Sequence, residues 1–173
     1  MAGVGPAADH GKPRMTLRAP ERVEPRRVLG AFPAGVTAIA ALVDGVPVGI
    51  AASSFTSVSL DPPIVSICMA DTSTTWPVLR VAPRLRVLGA HQEQHGRALS
   101  ERGADRFTAL QWRATSDGAV MLNGASAWLD CSVERQIPVG DHDIVLLRVH
   151  ALDADATVTP LIFHVSRFRQ LDA

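Results

Sequence analysis

The chain contains no tyrosine and a single lysine, Lys12, so arginine supplies nearly all of its positive charge. Acidic and basic side chains balance at a formal net charge of +0, which removes the broad electrostatic case for nucleic acid or an anionic membrane. Cysteine is scarce. Cys68 and Cys131 each sit in an apolar, strand-like run without CxxC or Cys/His zinc spacing, and are expected as buried, inert thiols in a reducing cytosol. No run approaches the ~20 apolar residues of a membrane span, and the N-terminus lacks the apolar core of a signal peptide. HExxH, paired-carboxylate and Ser-His-Asp signatures are missing as well. These absences together predict a soluble cytoplasmic protein with little acid–base chemistry of its own.

What is present suits one domain: 173 residues, 47% of them hydrophobic. Residues 1–19 are rich in Gly, Pro, Ala and charge and read as a disordered leader, with a single domain over 20–173. A short helix is expected from Glu21 to Ala31, with Pro25 in its first turn and Val28 and Leu29 facing inward. Gly35–Val43 and Val46–Ala51 read as strands joined by an Asp44-Gly45 hairpin turn. Asp61-Pro62-Pro63 makes a break, and Ile64–Ala70 reads as a strand buried on both faces or nearly so. A helix capped by Thr72 or Ser73 is expected to run through Pro77 towards Val81. Leu85–Ala90 is another strand, and Gln92–Arg102 a polar helix ended by Gly103. Residues 104–126 read as a loop pinned by Phe107 and Trp112. Ala127–Ile137, Asp143–Leu152, Leu161–Val165 and Phe168–Leu171 complete the strands. Many short strands with few helices predict a mainly β fold, an antiparallel barrel with short peripheral helices, and not a βαβ nucleotide fold.

Two hydroxyl clusters stand out: Ser53, Ser54, Thr56, Ser57 and Ser59, then Thr72, Ser73, Thr74 and Thr75. Small polar side chains and free N–H groups at strand ends can cradle a phosphate without lysine. Ser and Thr also serve turns and strand edges locally, and spacing alone favours that plainer role, because neither cluster is a glycine-rich phosphate loop.

The run PVGIAASSFTSVSLDPP (Pro47–Pro63) occurs with FPAGVT (Phe32–Thr37), STTWPVL (Ser73–Leu79), DRF (Asp105–Phe107), AWLDC (Ala127–Cys131) and GDH (Gly140–His142). In this order the motifs resemble the flavin reductase family, the reductase components of two-component flavin monooxygenases, over about Arg27 to Leu171. The resemblance implies an antiparallel split β-barrel, FMN or FAD with NADH or NADPH, a homodimer and a monooxygenase partner. It implies hydride transfer from nicotinamide to flavin, in which the protein holds and orients two ring systems. The run from Val48 to Ser54, including Gly49, Ala51, Ala52 and Ser53, would line the ring. Ser57, Ser59, Asp71 and Thr72 to Thr75 would hold the ribityl chain and phosphate; apart from the resemblance, Arg80 or Arg84 after the expected helix start could add charge, although each taken singly reads as a solvated surface arginine. His142 matches the family's histidine near the nicotinamide; without that match it reads as a turn histidine bonded to Asp141 or Asp143.

Other histidines carry less. His91 and His95 lie one helical turn apart, but no third ligand is evident, so no metal is expected and a solvated helix face is. His164 near the last strands reads as edge packing as readily as a flavin neighbour. Three departures from the family pattern concern the site: Leu88 in place of an asparagine, Leu147 in place of a glycine, and Phe163-His164-Val165-Ser166-Arg167-Phe168 in place of a Tyr-His-Arg-Gly-Arg-Tyr pattern. They leave open a second reading, a flavin-binding protein without reductase turnover.

Overall fold

A computed structural model gives the fold for residues 17, 19–20, 24–101, 103, 105–116 and 118–171. The expected leader falls almost wholly outside these residues. The elements run α1 (Pro25–Leu29), β1 (Ala34–Gly35), β2 (Thr37–Val43), β3 (Val46–Ala52), β4 (Thr56–Leu60), β5 (Pro63–Ala70) and α2 (Trp76–Leu79). They continue with β6 (Leu85–Gly89), α3 (Glu93–Ser100), β7 (Trp112–Ala114), β8 (Val120–Leu122), β9 (Ala127–Val139), β10 (His142–Ala154), β11 (Leu161–His164) and β12 (Arg167–Gln170).

Seven strands form one antiparallel sheet in the order β3-β2-β6-β9-β10-β5-β4. Its two edge strands, β3 and β4, are consecutive in the chain and joined only by Ser53, Ser54 and Phe55. Laid flat, seven strands at ~4.8 Å spacing would put those edges roughly 29 Å apart. The link from Ala52 to Thr56 reaches at most about 14 Å. The sheet therefore curls until its edges approach, and a barrel with a seam results. Among the described residues no strand ladder crosses the seam. There the Ser54 hydroxyl accepts a hydrogen bond from the Cys68 N–H (2.8 Å) and donates to the Cys68 carbonyl (3.3 Å), tying the end of β3 to β5.

The barrel interior is filled by alternate residues: Ile39 from β2, Val65, Ile67 and Met69 from β5, Leu85 and Val87 from β6, Cys131 from β9, and Val145 and Leu147 from β10. Trp76 and Leu79 of α2 plug it. A second core lies outside the barrel wall, where Ala38, Ala40 and Leu88 pack against Leu99 of α3, Phe107, Leu110, Val120 and Leu122. Strands β2 and β6 thus bury both faces. The β1-β11-β12 sheet is separate, and Val36 between β1 and β2 joins it to the barrel: its N–H donates to the Leu161 carbonyl and its own carbonyl accepts from Ala90. The Asp44-Gly45 turn has both φ angles positive (51° and 78°), as a two-residue hairpin of this twist requires.

Several expectations change. Strand β5 buries one face only, because the outer face (Ile64, Ser66, Cys68, Ala70) lies beyond the barrel wall; Cys68 is exposed, and Cys131 alone is the buried thiol. Val28 and Leu29 are exposed, since a five-residue helix at the chain's approach to the barrel has no layer beneath it. His95 is buried (3% exposed) rather than solvated, because α3 turns that face onto the outer core. The helix predicted towards Val81 is the single turn α2. The loop expected at 104–126 contains the β7–β8 hairpin, whose three-residue strands are too short to show a period. It is pinned as expected, the Phe107 and Trp112 rings meeting edge to face at 5.9 Å.

Candidate active site

At the seam the barrel wall opens into a cleft of about 410 Å³, within the range of small-molecule sites. One wall is the end of β3 and the link, from Ile50 to Ser54. The other is the C-terminal end of β5 (Cys68, Met69, Ala70) with Thr72, Ser73, Thr74 and Thr75 beyond it. Leu99, Ser100 and Arg106 close it from the α3 side, and His142 closes it from the start of β10.

The loop that carries the hydroxyls is built locally. The Ser73 N–H donates to the Ala70 carbonyl, and the Ser73 hydroxyl accepts the Trp76 N–H (3.1 Å), so Ser73 rather than Thr75 caps α2. Trp76 is then driven into the barrel interior, which fixes Thr72 to Thr75 at the mouth. A helix of one turn carries little dipole, so these side chains and amides, not α2, give the loop its polarity.

His142 is brought in by pairing: it sits opposite Ala70 in the β5–β10 ladder. Its Nδ1 lies 2.8 Å from Asp141 Oδ1, and that bond holds the Asp141 carboxyl below the usual carboxylate range. Asp141 also receives the Asp71 N–H on its carbonyl, fastening the turn to the cleft loop. His142 is thus a turn histidine bonded to Asp141 that also lines the cleft.

Of the residues singled out from sequence, Ala51, Ala52, Ser53, Ser54, Thr72, Ser73, Thr74, Thr75 and His142 meet around this one cleft. Val48 does not; it packs on the barrel core. Gly49 lies behind the wall, where its carbonyl takes a hydrogen bond from Arg106 and an added Cβ would meet Phe107 Cζ at 2.8 Å. Ser57 and Ser59 lie on the edge strand β4, and Asp71 is exposed at the turn; none lines the cleft. Arg84 is paired with Asp130 (3.0 Å), and neither it nor Arg80 lines the cleft. His164 instead approaches the Ala31 carbonyl with Nε2 at 3.2 Å. Leu88 and Leu147 are wholly buried in the two cores, so neither departure alters the cleft surface.

Arg106 is the residue that spacing did not single out. Its Nη1 donates to the Gly49 carbonyl (2.7 Å) and to Thr75 Oγ1 (2.9 Å), and its Nε donates to the Glu101 carbonyl (2.7 Å). The signal lay in Asp105-Arg106-Phe107: Asp105 Oδ1 accepts the Phe107 N–H (3.1 Å), buried Phe107 anchors the segment, and Arg106 between them is aimed at the cleft. Among the described residues no three His, Cys, Asp or Glu side chains gather as for a metal. None of the helices there is long and apolar enough to cross a membrane.

A split barrel whose seam opens into a cleft of hydroxyls, amides and one guanidinium defines a protein with a small-molecule site at the seam. The chain belongs to the flavin reductase-like domain family, whose model matches residues 29–172. It is 35% identical over 159 residues to the reductase subunit HsaB of a flavin-dependent monooxygenase from Rhodococcus jostii, covering 89% of this chain and 82% of that protein. It is 36% identical over 150 residues to an NADH:FMN oxidoreductase from Rhodococcus qingshengii, covering 83% and 78%. The NADH:FAD oxidoreductase SgcE6 of Streptomyces globisporus, solved with NAD and FAD fragments, superposes with a TM-score of 0.82 at 35% identity, covering 91% of this chain and 98% of that one.

Proposed function

We infer that this chain is an NAD(P)H:flavin oxidoreductase that supplies reduced FMN or FAD to a partner monooxygenase. The observation that carries the reading is the meeting of Ala51–Ser54 with Thr72–Thr75 at the seam, two segments that only barrel closure brings together. When bound, flavin supplies the chemistry by taking a hydride, with both electrons, from the dihydronicotinamide. The chain's own part is positional. The β3 end offers main-chain groups to a ring edge, the link and the 72–75 loop offer hydroxyls to a ribityl chain, and Leu99 closes an apolar side that excludes water. Asp141 holds His142 Nδ1, and the imidazole, which lines the cleft, would steady the second ring. Neither Leu88 nor Leu147 touches the cleft, which favours turnover over flavin binding alone.

The test is NADH and NADPH oxidation followed by absorbance, with and without added FMN or FAD. Flavin-dependent oxidation is expected; inactivity with every flavin and nicotinamide pair ends the reading. His142→Gln should lower kcat/KM for the nicotinamide by about 10- to 100-fold and leave the flavin Kd nearly unchanged.

The domain limits of 20–173, a homodimer and a cytoplasmic setting belong to the same proposal. The family match over 29–172 supports one domain. Val28, Leu29, Phe32 (72% exposed) and Val165 lie around the Val165 N–H bond to the Gly30 carbonyl and form an apolar patch suited to a second copy. Light scattering that gives one-chain mass at micromolar concentration would remove the dimer.

A further inference from the structure

We propose that the cavity at the N-terminal end of α3 is a second ligand site, suited to a neutral purine nucleoside of the adenosine type. It lies apart from the seam cleft and does not rest on the flavin reading.

The cavity has a volume of about 350 Å³ and shares no lining residue with the cleft. Four carboxamides ring it: Gln92 and Gln94 at the start of α3, Gln111 before β7 and Asn123 after β8. The main chain of this rim is already tied. The Asn123 N–H donates to the Gln111 carbonyl (2.9 Å), and the His95 N–H donates to the Gln92 carbonyl (3.0 Å). Gln94 is fixed by its Nε2, which donates to the Ala109 carbonyl (2.6 Å) and leaves the amide oxygen as an acceptor. Among the described residues nothing hydrogen-bonds the side-chain amides of Gln92, Gln111 or Asn123. His95 lines the same cavity, buried, with no partner in the chain for Nδ1. A buried polar atom without a partner is uncommon and calls for a specific account.

The lining selects the ligand. No charged side chain lines the cavity, so a phosphate, carboxylate or ammonium would lose its water without gaining a counter-charge. Burial, then His91, lowers the His95 pKa, so the ring is neutral at pH 7 and carries one donor and one acceptor. Carboxamides likewise present a donor beside an acceptor, the pattern that pairs with the N6 and N7 edge of adenine. Ala109 and Gly124 are the small residues of the wall and leave room for a flat ring. An adenine carried by a dinucleotide held in the cleft fits less well. The groove along α3 that joins the two places runs roughly 10 Å. It is lined by three carboxylates (Glu93, Glu101, Asp105) and two guanidiniums (Arg97, Arg106). Arg97 is already paired with Glu93, so a diphosphate crossing the groove meets an excess of negative charge. A free nucleoside carries no charge to be repelled.

The full chain, without flavin, is titrated with adenosine by calorimetry while the His95 ring signal is followed by NMR. A Kd between about 0.01 and 1 mM is expected for a ligand of this size. The His95 signal should move and the amides of Thr72 to Thr75 should not. Purine riboside, which lacks the 6-amino donor, should bind about 3- to 30-fold more weakly. Gln111→Ala should weaken adenosine by a similar factor, and His95→Leu should remove most of the binding. The comparison of the two nucleosides on wild type needs no variant to fold. Neither heat nor a His95 shift at about 5 mM adenosine would overturn the site. So would equal affinity for the two nucleosides, or shifts at 72–75 in place of His95, which would put adenosine in the cleft. Adenosine that raises the Kd of FAD but not of FMN, or the KM of NADH, would assign the base to a dinucleotide and overturn the separate site. Failure of flavin-dependent NADH oxidation is a different result, which removes the oxidoreductase reading and leaves this site standing.

Discussion

The site depends in part on an atom that never faces a ligand. Gly49 is behind the cleft wall, but a Cβ there would sit 2.8 Å from Phe107 Cζ and 3.1 Å from the Ile39 carbonyl. Phe107 would have to retreat, and it carries Arg106 with it. Gly49→Ala should therefore cost about 1–3 kcal/mol in urea unfolding and weaken FMN binding as well. An unchanged FMN titration in a destabilised variant would detach the wall from the cleft. The two thiols separate as sharply. Burial and the neighbouring Asp130 carboxylate push the Cys131 thiol up to about 12, while Cys68 stands open on the cleft face of β5. A disulfide reagent should titrate one thiol in the native protein and two after unfolding. Saturating FMN should slow the native reaction at Cys68; if it does not, flavin does not occupy this cleft. The two cysteines look alike in sequence, each in an apolar run. What separates them is which face of a strand looks into the barrel, and that depends on strand partners far along the chain.

At the scale of elements, the legible parts were those with local chemistry. Asp44-Gly45 forced a hairpin, Pro25 opened a helix, and the apolar runs at β2 and β6 marked strands. Parts set by remote partners were not legible: the one-sided burial of β5, the β7–β8 hairpin and the inward face of α3. The β11–β12 turn is a further case, because its residues argue against its conformation. Val165 and Ser166 both adopt positive φ (48° and 56°), a region that costs an ordinary L-residue about 1–2 kcal/mol. The turn is held by the β11–β12 ladder and by the Val165 N–H bond to Gly30. Substituting the preferred pair, Val165→Asn with Ser166→Gly, should stabilise the protein by about 1–2 kcal/mol without changing activity. A lower thermal midpoint would mean that the Val165 side chain contributes packing that outweighs the backbone strain.

Over the whole molecule, the sequence carried the family, the barrel and most of the cleft, because the segments that meet at the seam are the ones dense in hydroxyls. It missed Arg106, since a lone arginine 31 residues after Thr75 joins that loop only through the fold. It also misplaced His95, and that error has a thermodynamic consequence. His95 is buried between α3 and the outer core, with Nδ1 unpartnered, and burial first, then the nearby His91, lowers its pKa from the ordinary 6.5. The neutral ring fits there and the charged ring does not. Below pH 6.5 the unfolded chain binds a proton that the folded chain refuses, so stability is full above that value and drains away as pH falls towards the lowered folded value. The carboxylates with lowered pKa (Asp105, Glu134, Asp141 and Asp155) add their losses only at more acid pH, beneath the ordinary carboxylate range. The urea midpoint should therefore begin to drop between about pH 6.5 and 5, where carboxylates are still ionised. His95→Leu, which keeps an apolar body and removes both the proton site and the orphaned nitrogen, should flatten that limb and raise the midpoint at pH 5.5. A limb of the same slope in the variant would place the proton uptake elsewhere, and the second core would then tolerate a charged His95.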